Sequence, residues 1–215
     1  MCIEYELRRE AFEAALPFFR QELPFAWAGA EPDPSKFHVR VGNRGAVVRR
    51  DGDGLVGEMM IWGWEEGRQI IFNLKSEGKD FAQARRVLIL ATGYYEYTEP
   101  MEPRVLGHEQ HFFTMKGERW FSLAGIAMGN GFSLLTTTAG LDIRPYCKRQ
   151  LCVLSPSAGL DWLRQPHHDA LGPSGAGTMS VRTLYGVKTF AIPNSRSGGF
   201  PHDNSRQKSG PAAAE

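Results

Sequence analysis

From residue 37 onward the sequence keeps returning to short apolar runs rich in β-branched and aromatic residues, separated by turns that carry glycine. Residues 37–41, 46–50, 55–62, 68–74 and 87–91 read as strands. The turns Gly42-Asn43-Arg44-Gly45 and Asp51-Gly52-Asp53-Gly54 separate the first three of them. Two hairpins are predicted next. One joins 111–115 to 119–127 through Lys116-Gly117-Glu118, and one joins 124–128 to 132–138 through Gly129-Asn130-Gly131. Residues 150–154, 179–185 and 187–192 add further strand-like runs. Helical signals are few. Phe12, Leu16, Phe19 and Leu23 mark one apolar stripe over 9–21, with Pro17 expected to kink or split it. Residues 80–85 suggest a helical turn or short helix, and 158–164 a short helix ended by Pro166. Many short strands with few helices predict an α+β fold: a curled, partly closed, mainly antiparallel sheet with peripheral helices. The ordered unit is expected over 1–193. The tail over 194–215, polar and rich in Gly, Ser and Pro, is expected to be disordered.

Composition narrows the function classes. The 25 Lys+Arg nearly cancel the 24 Asp+Glu, so a nucleic-acid site would have to be a local patch rather than a global basic field. No run approaches the roughly 20 apolar residues of a membrane helix, and the acidic start lacks the pattern of a signal peptide. These features predict a cytoplasmic protein with no membrane partner. The three cysteines, Cys2, Cys147 and Cys152, form no CxxC pair and no zinc spacing, so reduced thiols are expected, with no metal and no cofactor.

Four constellations could carry chemistry. Cys2 becomes the first residue if Met1 is removed, which places an α-amine beside a thiol. Such a pair can condense with an aldehyde to a thiazolidine, or act as an N-terminal nucleophile on an amide. On its own, a cysteine at position 2 is more simply a small buried hydrophobe. Asn73, Lys75 and Glu77 alternate at a strand end, so they share a face that suits a phosphate or a sugar hydroxyl, or equally a solvated Lys–Glu pair. The run from Arg86 to Tyr97 ends a buried strand in Gly93-Tyr94-Tyr95-Glu96-Tyr97. A carboxyl enclosed by aromatics should have a raised pKa useful in acid–base work, although a rim glutamate fits the pattern as well. Lys148 and Arg149 form a short basic pair after Thr136-Thr137-Thr138-Ala139-Gly140, suited to phosphate or simply to solvent.

Taken in order, these segments resemble the SOS response-associated peptidase (SRAP) family of abasic-site processing proteins. Met1-Cys2 looks like the family's start, Trp62-Gly63 like its Trp-Gly segment, and Asn73-Leu74-Lys75-Ser76-Glu77 like its Asn-Ala-Arg-x-Glu. Arg86 through Tyr97 is similar to its Arg-Cys-Leu-x-Pro-Ala-x-Gly-Phe-Tyr-Glu-Trp, and the stretches from Leu123 and from Phe132 follow its later strands. The resemblance implies that Cys2 cross-links to abasic sites in single-stranded DNA as part of the DNA damage response, with lyase or peptidase-like activity. It makes Asn73 a positioning residue and Glu96 the acid–base residue. Lys75 stands where an arginine contacts phosphate, and Trp62, Arg86 and Arg149 join it as DNA-binding candidates. The partner implied is single-stranded DNA, bound by a monomer.

Two departures are visible. Ile3-Glu4-Tyr5 replaces Gly-Arg-Phe, which exchanges a positive charge beside the nucleophile for a negative one and predicts weaker phosphate binding there. The family histidine that helps open the sugar and reverse the link is replaced by Cys147, a poorer proton shuttle at neutral pH, with His167 and His168 nearby in sequence. This second departure bears on turnover more than on cross-linking. The rival readings are a binding module for single-stranded DNA or protein that keeps the fold without the full chemistry, and an N-terminal-cysteine amidase.

Overall fold

The structure is a computed structural model that describes residues 2–33, 38–98, 108–164 and 171–187. The expected strand start at Phe37, the run beyond Val187, Pro166, His167, His168 and the tail over 194–215 lie outside these residues.

The first helix, α1 (Arg9–Glu22), buries Ala11, Phe12, Ala15, Leu16 and Phe19 on one side. Burying its Phe and Leu side chains contributes roughly 1.5–3 kcal/mol each. The helix runs through Pro17 without splitting. Pro17 and Glu13 both lie on the exposed side, so the carbonyl that loses its hydrogen bond faces water. A second helix, α2 (Pro156–Arg164), buries Leu160, Trp162 and Leu163.

The strands in chain order are β1 (Glu4–Glu6), β2 (Phe25–Trp27), β3 (His38–Arg40), β4 (Arg44–Asp51), β5 (Gly54–Trp62), β6 (Trp64–Glu66), β7 (Gln69–Ile71) and β8 (Asn73–Lys75). They continue with β9 (Arg85–Ala91), β10 (Gly93–Thr98), β11 (His108–Met115), β12 (Phe121–Met128), β13 (Gly131–Thr138), β14 (Arg149–Leu151), β15 (Val153–Leu154) and β16 (Met179–Val187). One sheet has the order β16-β11-β10-β1-β3. The larger sheet has the order β14-β13-β12-β9-β4-β5-β2, and a short parallel β13–β5 pairing curls it back on itself. The expected curled, mainly antiparallel α+β fold is what the chain adopts.

Local departures have physical causes. Residues 68–74 form two strands rather than one, because β7 pairs with β6 across a turn at Gly67 while β8 pairs in parallel with β13. Residues 80–84 form only a turn, closed by the Ala82 amide donating to Asp80 Oδ1 at 2.8 Å, and Arg85 already belongs to β9. The hairpin expected through Lys116-Gly117-Glu118 does not exist. β11 pairs with β10 and β16, whereas β12 pairs with β9 and β13 in the other sheet. The hairpin through Gly129-Asn130-Gly131 does form, with Met128 opposite Gly131. The expected run 150–154 breaks at Cys152, where the chain passes from β13 to β12.

The core has two parts, one on each face of the larger sheet. Strand β9 sends Val87, Ile89 and Ala91 into the part shared by both sheets, and Leu88 and Leu90 into the part under the helices. Cys2, Tyr5, Trp62, Tyr94, Phe113 and Phe132 belong to the shared part. After β9 the chain changes sheets at Thr92, and Gly93 opens β10 where there is no room for a side chain. A Cβ there would lie 2.3 Å from Phe112 Cζ and 2.8 Å from the Phe113 carbonyl oxygen. Gly93→Ala should therefore destabilise the protein by roughly 1–3 kcal/mol. Chemical denaturation checks this; an unchanged midpoint would contradict the packing described.

Candidate active site

The start of the chain is held beside Glu96 by strand pairing. β1 runs antiparallel to β10, with Glu4 opposite Tyr95 and Tyr5 opposite Tyr94. Cys2, two residues before Glu4, is fully buried, and its thiol donates to the Glu4 carbonyl at 3.3 Å. The Asn73 side chain reaches the same place from the larger sheet, where β8 sets Asn73 opposite Leu134. Asn73 Nδ2 donates to the Cys2 carbonyl at 2.6 Å. Residues 71 positions apart are thus joined at the carbonyl of the candidate nucleophile.

Glu96 is 3% exposed. Burial pushes its carboxyl up to about 6, against the pull of the chain's terminal ammonium. Burial also raises the Cys2 thiol, and repulsion from Glu96 adds to it. The Cys147 thiol is pushed up to about 12 by the same two causes. Burial and then Glu96 likewise raise the Tyr94 phenol, with smaller effects from Cys2 and Cys147. Glu96 thus acts on all three groups, and Cys147 packs against the part of the core that holds Cys2 and Tyr94. Two polar atoms beside them, Asn73 Oδ1 and the Tyr94 hydroxyl, are buried with no hydrogen-bond partner among the described residues. A buried acceptor and a buried hydroxyl are costly unless a ligand or water meets them. Cys2, Asn73, Glu96 and Cys147, read separately along the sequence, therefore converge.

The expected DNA-binding residues do not converge in this way. Lys75 is exposed on β8 and makes no ion pair among the described residues. Arg149 grips Glu77 through both guanidinium nitrogens, at 3.0 and 2.8 Å, and also donates to the Thr136 carbonyl. That pairing holds the Glu77 carboxyl at about 2. Glu77 lies in a turn beyond β8 rather than on the strand with Asn73 and Lys75. Arg86 is on the helix-covered face of the larger sheet, 5.4 Å from the Trp162 ring. Trp62 is 0% exposed, stacks on Phe132 and donates its indole N–H to the Phe72 carbonyl. Tyr94 and Tyr95 are buried as well.

Glu4 does not place its charge in the site. It shares the face of β10 that carries Tyr95 and Tyr97, opposite to that of Glu96. There His38 Nε2 lies 2.5 Å away, Arg40 Nε lies 3.0 Å away, and the Tyr97 hydroxyl donates to it. Burial alone would raise this carboxyl, but these three hydrogen bonds outweigh it and hold it below its usual value.

One residue of the site was not singled out from the sequence. His111 stands directly opposite Glu96 in the β10–β11 ladder and is 2% exposed. Its ring packs 4.7 Å from that of Tyr146, the neighbour of Cys147. Only the register of two strands separated by residues 99–107 makes this pairing, and no local pattern signals it.

A curled two-sheet domain with Cys2 buried beside an internal carboxyl defines the class. Solved structures share the fold. A protein from Bacteroides thetaiotaomicron is similar at 18% identity and TM-score 0.64, covering 85% of this chain and 92% of that one. A protein from Bordetella bronchiseptica is similar at 18% identity and TM-score 0.64, covering 85% and 99%. A phage-related protein from the same organism is similar at 15% identity and TM-score 0.57, covering 85% and 93%. No curated protein sequence matches this one. The profile of the SOS response associated peptidase (SRAP) family matches residues 1–174, and the chain belongs to that family. Membership supports a function associated with DNA damage and a peptidase-like activity.

The buried Glu96 makes stability depend on pH. Its folded-state pKa is raised, so the folded state binds the proton more tightly. That contribution is complete below the ordinary glutamate range and is lost as pH rises through about 6. Glu96→Gln should stabilise the fold above pH 7 by about 2 kcal/mol at most and leave it unchanged near pH 4. Thermal melts of both proteins at the two pH values check this. Equal melting temperatures above pH 7 would contradict the burial described.

Proposed function

We propose that the protein captures abasic sites in single-stranded DNA by forming a covalent link through Cys2. The observation that supports this most is the hydrogen bond from Asn73 to the Cys2 carbonyl beside a buried Glu96 of raised pKa. It fixes the first residue of the mature chain next to a group able to move protons.

Hydrolysis of the Met1–Cys2 peptide bond frees the amine. An abasic deoxyribose presents a latent aldehyde. Its ring opens when a proton leaves the anomeric hydroxyl and one reaches the ring oxygen. The Cys2 amine adds to the aldehyde, and loss of one water gives an imine. The thiol then adds across the C=N bond, its sulfur to carbon and its proton to nitrogen, which closes the thiazolidine. Burial keeps the thiol protonated, so a nearby base is needed at each proton transfer. A carboxyl titrating at about 6 is roughly nine-tenths ionised at pH 7 and serves as that base. The unpartnered Asn73 Oδ1 and Tyr94 hydroxyl suit the sugar oxygens or the amine. Lys75 offers a mobile point charge to phosphate. Arg149 can exchange its Glu77 partner for a phosphate, with affinity falling as salt rises.

The test is incubation with a single-stranded oligonucleotide carrying one abasic site. A heat-stable adduct is expected on a denaturing gel. Cys2→Ser and Cys2→Ala both keep the amine and should give only an imine that needs borohydride to survive, because neither side chain closes the ring as the thiol does. Glu96→Gln should slow adduct formation by about 100-fold or more. An adduct of equal yield and stability in Cys2→Ala would overturn the proposal.

A further inference from the structure

The Glu96 pocket has an imidazole at its edge that the scheme above leaves unused. Residues directly opposite in an antiparallel pair send their side chains to the same face, with Cβ atoms roughly 5 Å apart. The ladder obeys this on both faces. Tyr94 stacks on its partner Phe113 at 5.2 Å, and Tyr95 packs on Phe112 at 4.6 Å on the other side. Glu96 and His111 are the next pair on the Tyr94 face.

Both ring nitrogens of His111 are engaged by hydroxyls. Nε2 is 2.8 Å from Thr98 Oγ1 on β10, and Nδ1 is 2.8 Å from Thr183 Oγ1 on β16. A neutral imidazole has one N–H and one lone pair, so one threonine donates to it and the other accepts from it. Rotating both hydroxyls and exchanging the tautomer passes a proton from one side of the ring to the other. Thr98 lies two residues beyond Glu96 on the same face of β10, Thr183 lies on the far side of the ring, and each is half-buried, so the chain starts beside Glu96 and meets solvent at its threonines. The charged and titratable groups facing the ring are Glu96 from β10, Glu109 of its own strand at 3.7 Å, and Tyr146 with its neighbour Cys147 from the loop before β14. Burial lowers the imidazole pKa against the pull of Glu109, which keeps the ring neutral at pH 7.

We propose that His111 is a positioning and proton-relay residue that recharges Glu96 through the Thr98–His111–Thr183 chain and so sets the rate at which the cross-link reverses. This rests on the cross-linking reading above. In reversal the C–S bond breaks, sulfur takes a proton supplied through Glu96, and an iminium remains. One water then adds to the iminium carbon, the C–N bond breaks, and the aldehyde and amine separate. The net change consumes one water, with no oxidant or reductant. Glu96 is mostly ionised at pH 7 and must first take up the proton it gives to sulfur, which the attacking water later returns; Cys147, pushed up to about 12, is too weak an acid to supply that first proton at neutral pH.

The test isolates the adduct of each variant and measures its release into excess unlabelled abasic DNA across pH 5–9. His111→Gln keeps hydrogen bonds to both threonines but cannot carry a proton. Release should slow about 100-fold, its dependence on pH should flatten, and added free imidazole should restore part of the rate. Thr98→Val/Thr183→Val, which keeps the histidine, should slow release as well. His111→Gln/Cys147→His, which returns an imidazole to the pocket, should recover it. Wild-type rate and pH profile in His111→Gln would overturn the relay while leaving the cross-link standing. A wild-type adduct that never releases would overturn it too. No adduct from wild type would overturn the underlying reading and the relay with it.

Discussion

The site depends on the antiparallel pairing of β1 with β10. Without that register the first residues of the chain and Glu96, more than ninety positions apart, have no reason to meet. The pairing is secured from outside rather than from within the pocket. Glu4 and Glu6 leave the outer face of β1 and are held there by His38, Arg40, Arg8, Tyr95 and Tyr97. The inner face is then free to carry Tyr5 into the core and to bring the chain start to Asn73. Alternation along one short strand separates anchoring from chemistry.

The arrangement costs stability. A carboxyl is buried among aromatics and thiols, and an amide oxygen and a phenol beside it have no protein partner among the described residues. Polar groups left in this state in a close-packed core are a mark of a site that awaits something. The surrounding packing of Trp62, Phe132, Tyr94 and Phe113 supplies the rigidity that keeps them there. Trp62 thus acts as part of the wall behind the pocket rather than as a surface for bases.

Much of the fold was legible because strand signals are local. The tight turn at Gly129-Asn130-Gly131 specified its hairpin, and the unbroken apolar run over 87–91 marked a buried strand, which the structure covers on both faces. Pairing was less legible. Lys116-Gly117-Glu118 looks like a hairpin turn, yet β11 and β12 find partners in different sheets, which depends on long-range packing. The same limit applies to the site. Cys2, Asn73, Glu96 and Cys147 stand in recognisable segments, whereas His111 enters only through a cross-strand register. The charge on Glu4 is visible in the sequence, but its direction away from the pocket is set by strand pairing.

The central claim is that the working protein presents a free amine and thiol on residue 2. The intact mass of the purified protein tests it most directly. The account predicts a mass short by one methionine residue. A full-length mass with Met1 retained, in protein that still links to abasic DNA, would contradict it.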